Sequence, residues 1–563
     1  MYHEKPWLKF YPPQVPASID YPEVPITHFL KDAAVKLPEQ VAIHFMGKEI
    51  TYRQLLNFAY RFARYLQTLG VQKGDRVAIM LPNCPQGVIS YYGSLLLGAV
   101  VVQTNPLYME RELLHQLTDS GAKVIVSLDL VYPKVEKVRD KVPLEHVIVT
   151  SIKDFLPFPK NILYPLIQKN IPKISFEPQK GIHSFVSIMK SVSNEAIEAE
   201  VDSNDLALLQ YTGGTTGLPK GVMLTHRNLV VNVVQGRAWM YKSQYGKETI
   251  LGVLPFFHVY GMSVVMNLAV YLASTMILVP KFDAGEILKI IETKKPTLFP
   301  GAPTMYIGII NHPDIKKYNL SSIEACLSGS APLPIEVQER FEELTGGRLV
   351  EGYGLSETSP VTHANPIWDR RVNGSIGLPW PDTECKIVDP GNGEEIPVGG
   401  IGELAIRGPQ VMKGYWNMPE ETSAVMRDGW FLTGDMAYMD KDGYFYIVDR
   451  KKDMIIAGGF NIYPREVEEV LFEHPAVQEA TVIGIPDPYR GETVKAFIVL
   501  KKGQSVSEEE LNNFCRSKLA SYKAPRIYEF REELPKTMVG KVLRRALLEE
   551  EKKKIEMKND TTG

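Results

Sequence analysis

The sequence predicts an α/β protein. A large N-terminal domain of two α/β subdomains plus a small β-barrel-like unit is followed by a small α+β C-terminal domain. Three observations carry this. Amphipathic helical stretches alternate with apolar strand-like runs from Ile26 to about Thr150, and again from Leu206 to Val350, the pattern of layered α/β folds with a largely parallel sheet. After Gly374 the texture changes to short strands punctuated by Pro390-Gly391-Asn392-Gly393 and Val398-Gly399-Gly400, which suits an antiparallel unit. At 563 residues the chain exceeds what a single hydrophobic core accommodates.

In the first α/β run, Thr51 to Leu55 opens an amphipathic helix reaching about Leu69, and Asp75 to Met80 reads as a buried strand. An apolar helix follows from Val88 to Gly98, then a strand from Ala99 to Val102. Phe155 to Ile174 mixes aromatic, aliphatic and lysine side chains, with prolines that argue against one continuous helix. A packed insertion is the expectation there, with contact to a membrane surface as the alternative. The polar segment Asp449 to Asp453 reads as a hinge, so the domains divide into residues 1–450 and 451–563. Beyond it come a helix at Val467 to Phe472, strands at Ala480 to Ile485 and Val494 to Leu500, and a helix at Glu508 to Leu519. The charged run Glu549 to Lys554 reads as a fraying helix end.

Composition narrows the class. Apolar residues make up 44% and charged ones 23%, as in a globular protein. A net charge of −3 offers no electrostatic footprint for nucleic acid. Cys84, Cys326, Cys385 and Cys515 form no Cys-x-x-Cys pair, against a zinc ribbon or disulfide framework and in keeping with a reducing compartment. There is no apolar signal core at the N-terminus and no apolar run of spanning length. A cytoplasmic location is the expectation, with peripheral contact at the inner membrane surface left open.

The segment richest in chemistry is Tyr211-Thr212-Gly213-Gly214-Thr215-Thr216-Gly217-Leu218-Pro219-Lys220-Gly221, lying between two apolar strand-like runs. Glycines bring backbone N–H groups close to a polyanion, threonine hydroxyls add donors, and Lys220 adds a cation. It reads as a phosphate cradle, yet no Gly-x-x-x-x-Gly-Lys-[Ser/Thr] register fits it. Further on, Gly352-Tyr353-Gly354-Leu355-Ser356-Glu357-Thr358, with Glu351 just before it, combines a turn, an aromatic able to stack on a base, a hydroxyl and a carboxylate. Glu357 is a candidate magnesium ligand, because that ion favours one or two carboxylates plus phosphate oxygens. Thr433-Gly434-Asp435 places a carboxylate in a tight turn suited to a ribose diol. Pro535 to Lys541 presents Lys541 on a glycine turn that could reach a site on the other domain.

Together with Asn105-Pro106, Phe256-Phe257-His258 and Ser328 to Leu333, these segments resemble, in type and order, the adenylate-forming superfamily of acyl-CoA synthetases, coumarate–CoA ligases, firefly luciferase and peptide-synthetase adenylation domains. The resemblance runs from Thr51-Tyr52 to Gly540-Lys541 and points most closely to a bacterial long-chain fatty-acid–CoA ligase. It implies ATP, Mg²⁺ and coenzyme A as reaction partners and a mobile C-terminal domain. Lys541 is then the catalytic lysine bridging carboxylate and α-phosphate. Thr212 and Glu357 are the magnesium-binding positions, Ser356 is a phosphate contact, and Thr212 to Lys220 wrap the β- and γ-phosphates. Adenine lies against Tyr353 and the Gly329–Ser330 region, with Asp435 and Arg450 on the ribose. Lys452 is the pivot about which the domain turns, and Gly458-Gly459 line the pantetheine path. Many relatives carry a lysine where this chain has Ile456, so no nucleotide contact is assigned there.

His258 borders the acyl pocket in such relatives, and packing between aromatics is as good an account of it as a role in orienting the carboxylate. Pocket walls are expected from Val259 to Met262 and Gly301 to Tyr306, largely apolar and without arginine or lysine. That favours a hydrophobic acid, fatty or aryl, over an amino acid, and a fatty acid of medium or long chain is the first choice. An arylacid–CoA ligase, or a fatty acyl-AMP ligase loading a carrier protein, is the runner-up. A homodimer is left open.

Overall fold

The computed structural model describes residues 2–168, 171–197, 199–212, 219–457, 460–537 and 540–560. Its first layer is an eight-stranded sheet ordered Gly414–Tyr415, Lys220–Thr225, Leu206–Thr212, Val100–Gln103, Arg76–Met80, Val124–Leu128, His146–Thr150 and Ile182–Ser184. From Leu206–Thr212 to Ile182–Ser184 all pairings are parallel. The inner strands are runs of valine, isoleucine and leucine with both faces buried, as parallel sheets covered by helices on each side require.

A second sheet runs Lys48–Thr51, Val41–Phe45, Thr275–Leu278, Thr249–Gly252. Single bridges through Leu298 connect it to Ala325–Ser328, beside which lie Arg348–Gly354, Val361–Ala364 and Leu378–Pro379. Helices are packed against both layers. Tyr52–Thr68 begins at a reciprocal cap between Thr51 and Gln54. Its neighbour Pro85–Leu96 starts earlier than the apolar run suggests, because Pro85 is suited to a first helical turn. The two helices nearly touch at Gly93, where a Cβ would lie 2.8 Å from the Ala59 carbonyl oxygen. One continuous core joins these helices to both sheets.

The glycine-punctuated stretch forms a five-stranded antiparallel sheet of Glu384–Val388, Gly402–Arg407, Met426–Arg427, Trp430–Met439 and Phe445–Arg450. Past Met454 the chain builds another sheet, from Ile455–Ala457, Phe460–Ile462, Val477–Asp487, Gly491–Leu500 and Ile527–Phe530. Among the described residues it shares no strand with the others and it has its own core. Three helices cover it: Pro464–Phe472, Glu508–Lys518 and Arg544–Asp560. The charged run Glu549 to Lys554 therefore lies inside a helix and is no frayed end. Glu551 is buried and pairs with Lys495 at 2.8 Å and Lys554 at 2.7 Å.

Within the insertion, Phe155 and Leu156 are buried, whereas the short helix Lys160–Ile167 turns large apolar side chains outward. Phe158 is 79% exposed, Ile162 63%, Leu163 44% and Leu166 76%. Among the described residues no helix is long and apolar enough to cross a membrane.

Candidate active site

The phosphate-loop candidate is the tip of an antiparallel hairpin. Strand Leu206–Thr212 ends at Thr212, and its cross-strand partner is Lys220, where the return strand begins. Gly213, Gly214, Thr215, Thr216 and Gly217 lie outside the described residues. The flanks of the tip are held from one helix, Glu110–Ser120. Asp119 accepts a 2.6 Å bond from the Tyr211 hydroxyl, and His115 Nε2 lies 2.9 Å from the Pro219 carbonyl oxygen. Lys220 forms an ion pair with Glu421 and sits 5.1 Å above the Tyr415 ring. The Tyr415 hydroxyl donates to Glu357 Oε1 at 2.8 Å. Burial pushes the Glu357 carboxyl up, and that donated bond pulls it partly back. Loop lysine and candidate metal ligand are thus linked through one tyrosine.

The nucleotide-contact candidates converge on a second cluster. Asp435 and Arg450 are cross-strand partners in the antiparallel sheet. The buried Asp435 accepts a 2.6 Å bond from the Tyr353 hydroxyl and lies 3.3 Å from Arg450 Nε. Burial, then Asp435, pushes the Tyr353 phenol well above its ordinary range, so tyrosine is the donor and aspartate the anion. Gly354 leaves no room for a side chain, since a Cβ there would lie 2.1 Å from the Pro360 carbonyl oxygen. Gly352 packs on Leu327 and Gly329 on Tyr260, with Cβ approaches of 2.7 and 3.0 Å. Ser330 adopts a left-handed φ of 71°, and Ser356 lies in the single turn Ser356–Thr358.

Lys541 reaches this cluster from the other side of the hinge. Its turn is closed by the Thr537 N–H on the Lys541 carbonyl at 2.8 Å. Gly540 docks on Thr304 so closely that a Cβ would lie 2.0 Å from the Thr304 Oγ1. Burial brings the Lys541 ammonium down to about 7, helped by Arg450 and Arg544 and opposed by Asp435 and Asp453. Lys452 is lowered too, by burial and then by Arg450. His258 is pushed down to about 4 by burial and by Lys541. It is therefore neutral near pH 7, and its buried Nδ1 has no hydrogen-bond partner. The structure brings Lys541, His258, Asp435, Arg450 and Tyr353 together.

Two expectations come out differently or fall outside. Glu351 points away from the nucleotide cluster: it accepts the Leu333 N–H at 3.3 Å and faces Arg465 Nη2 at 3.9 Å. Gly458 and Gly459 lie outside the described residues. Ile456 is half exposed, and its N–H is bonded to Glu492. Tyr415 and Arg465 carry no mark in the sequence that sets them apart, Thr304 was expected only as a pocket wall, and the one cue to Arg544 is its position three residues after Lys541.

A narrow apolar cavity of about 30 Å³ has walls that include Gly236, Trp239, Val264, Leu268, Pro300, Leu327, Ile367 and Trp380, and none of the expected wall residues Val259 to Met262 or Gly301 to Tyr306 lines it. Its polar lining residues Asn232 and Ser263 are occupied by the carbonyls of Val361 (2.7 Å) and Ser359 (2.8 Å). No charged side chain lines it. The site's chemistry is thus that of a cationic, hydroxyl-rich cluster. For a magnesium ion, the Glu357 carboxylate and the Thr212 hydroxyl are hard oxygen donors that fit. Among the described residues no group of three or more His, Cys, Asp or Glu could hold a metal, so substrate phosphates would complete such a shell.

Comparison with known proteins identifies the family. Residues 30–416 match the family model described as AMP-binding enzyme, and residues 466–541 that of the AMP-binding enzyme C-terminal domain. The chain is 58% identical to a long-chain-fatty-acid–CoA ligase of Bacillus subtilis (strain 168) over 553 residues, covering 98% of this chain and 99% of that one. Among solved structures, the anthranilate CoA ligase AuaEII with anthranoyl-AMP superposes with a TM-score of 0.83 at 29% identity, over 94% of this chain and 97% of that one. ATP-bound MatB from Rhodopseudomonas palustris gives 0.81 at 30% identity, over 93% and 99%. The same MatB without ATP gives 0.73. The chain belongs to the family of AMP-binding enzymes.

Proposed function

We propose that the protein is a fatty-acid–CoA ligase for medium or long chains, which makes an acyl-adenylate from ATP and then an acyl thioester of coenzyme A. The observation that carries this is the convergence of Lys541 with Arg450, Asp435 and His258 in a chain 58% identical to a long-chain-fatty-acid–CoA ligase over 553 residues. In the first half-reaction a carboxylate oxygen attacks the α-phosphorus in line. The bond from that phosphorus to the bridging oxygen breaks, and pyrophosphate leaves. Charge spreads over the phosphoryl oxygens, so positioned cations supply most of the rate. Lys541 spans the carboxylate and the α-phosphate. Lys220 exchanges Glu421 for the β- and γ-phosphates. Tyr353 presents its ring to adenine while its hydroxyl holds Asp435 in place for the ribose. Glu357 and Thr212, with the substrate phosphates, would hold a magnesium ion, which would supply positive charge to the leaving pyrophosphate.

In the second half-reaction the coenzyme A thiol loses its proton to solvent and its sulfur attacks the acyl carbonyl. The carbonyl–oxygen bond to AMP breaks, giving acyl-CoA. The domains divide at 450/451, and residues 451–563 turn about Lys452 between the steps, withdrawing Lys541. His258 is neutral and acts as a hydrogen-bonding wall, orienting the carboxylate without a charge. Incubation with ATP, coenzyme A and graded fatty and cinnamic acids tests the reading. AMP and acyl-CoA formed from fatty acids support it, ADP overturns it, and a preference for cinnamic acids moves the assignment to an arylacid ligase.

Peripheral contact with the inner membrane surface from a cytoplasmic position belongs to the same proposal. It is supported by the outward apolar face Phe158, Ile162, Leu163 and Leu166 and by the neighbouring Lys48, Lys153 and Lys160. Flotation with anionic vesicles decides it: serine at Phe158, Ile162 and Leu166 abolishes binding, and unchanged binding discards the idea.

A further inference from the structure

The hinge carries more than a pivot. Asp449 ends the strand Phe445–Arg450 on the N-terminal side of Lys452 and is almost completely buried, 4% exposed. Its Oδ2 accepts the Arg465 backbone N–H at 2.7 Å. That N–H is one of the unpaired donors at the start of helix Pro464–Phe472, so a carboxylate from one domain caps a helix of the other. Its Oδ1 accepts the Arg450 N–H at 2.7 Å and faces Arg544 Nη1 at 3.5 Å. The side chain of Arg465 in turn faces Glu351, itself 6% exposed, at 3.9 Å. Two buried carboxylates of the N-terminal domain thus grip two arginines of the C-terminal one.

The grip is asymmetric. Arg544 also holds Asp453 at 3.2 Å and both oxygens of Glu468 at 2.7 Å. Arg465 also holds Glu469 at 2.9 Å. Those partners lie on the C-terminal side of Lys452 and move with the arginines. On separation the arginines keep carboxylates, whereas Asp449 and Glu351 lose their cross-domain partners while lining the N-terminal domain. A buried carboxylate stripped of its partner is costly, so the penalty for leaving this arrangement falls on these two residues. Arg544 lies three residues after Lys541, which couples the grip directly to the position of the catalytic lysine.

We propose that Asp449 and Glu351 are positioning residues that form a latch selecting the adenylate-forming arrangement of the two domains. The inference rests on the two-step reaction proposed above. Weakening the latch lowers the population in which Lys541 is seated and leaves the thioester step, which needs the other arrangement, intact.

The test compares Asp449→Asn and Arg465→Gln with the parent full-length chain in three measurements. These are fatty-acid-dependent exchange of labelled pyrophosphate into ATP, conversion of supplied acyl-AMP and coenzyme A to acyl-CoA, and the rate of tryptic cleavage after Arg450, Lys451 and Lys452. Asp449→Asn, nearly isosteric, is expected to lose about tenfold or more in kcat/KM for exchange, the scale of a charged hydrogen bond. It keeps transfer from acyl-AMP within about twofold and is cleaved at the hinge roughly tenfold faster, since cleavage follows the open population. Arg465→Gln, which keeps the backbone N–H but drops the contact to Glu351, shows the same split to a smaller degree and decides the matter if the asparagine variant does not fold. Parallel loss of both half-reactions overturns the proposal, as does unchanged exchange with unchanged cleavage. The cleavage readout needs no turnover. A parent chain that exchanges no pyrophosphate with any fatty acid therefore sinks the assigned reaction, while the cleavage rates still judge the latch.

Discussion

The low affinity of Lys541 for its proton gives the first half-reaction a distinctive pH profile. In the free protein burial, Arg450 and Arg544 bring this ammonium down to about 7, more than offsetting Asp435 and Asp453. The sign follows directly: the folded site favours the neutral amine, so the cation that catalysis needs is lost as pH rises through about 7. An ordinary lysine stays charged to beyond pH 9. The profile of kcat/KM reports the free enzyme, so kcat/KM for pyrophosphate exchange should fall about tenfold per pH unit above 7. Bound ATP and carboxylate bring negative charge, raise the lysine again and carry the plateau of kcat to higher pH. Lys541→Ala removes the limb and costs roughly 10²–10³ in rate, as for loss of a preorganised donor. Lys541→Arg keeps its charge at every pH and flattens the limb even if slower. The assay is exchange of labelled pyrophosphate from pH 6 to about 9.5, at limiting and saturating ATP. A parent kcat/KM that stays level from pH 7 to about 9, while Lys541→Ala still loses activity, refutes the assignment of a buried, depressed lysine. Burial pushes Glu351 up to about 7 and Asp449 up to about 6, while the arginines that face them pull in the opposite direction.

Other perturbations have equally definite outcomes. Tyr353→Phe removes the 2.6 Å bond to Asp435 and leaves that buried carboxylate with Arg450, so KM for ATP rises roughly tenfold with a smaller change in kcat, read in steady-state kinetics. Tyr415→Phe deletes the donor that holds the Glu357 carboxyl down, so the magnesium concentration giving half-maximal exchange rises; a titration at fixed ATP checks it. Gly540→Ala sets a Cβ 2.0 Å from Thr304 Oγ1 at a φ of +79°, undocking the turn, so exchange falls by roughly tenfold or more while transfer from supplied acyl-AMP persists. Gly236→Leu fills the recess beside Trp380, where even a Cβ comes within 3.4 Å, and shifts the preferred acid toward shorter chains in a graded series of saturated acids.

What the sequence displays and what it hides divide along a physical line. Strands such as Val124–Leu128 and the helix Tyr52–Thr68 announce themselves because periodicity and caps are local. Tyr353 and Asp435 stood out for the same reason, each lying in a short segment whose turn chemistry is unusual, whereas Arg450 was singled out only through the family resemblance. Their mutual geometry was not, since Asp435 meets Arg450 through strand register and Tyr353 only through the packing of separate sheets. Tyr415 was invisible and Thr304 was expected only as a pocket wall, because each matters through a partner distant in the chain, Glu357 and Gly540. Asp449 is the sharpest instance. In a run of charges it reads as part of a solvated hinge, yet it is buried and caps a helix start. A charged residue in a flexible-looking segment is cheap only in water; once buried it needs partners, and here those partners lie across the pivot. The polarity that makes the hinge recognisable therefore also makes it stick, and a hinge that sticks in one arrangement can order two half-reactions without any residue touching both.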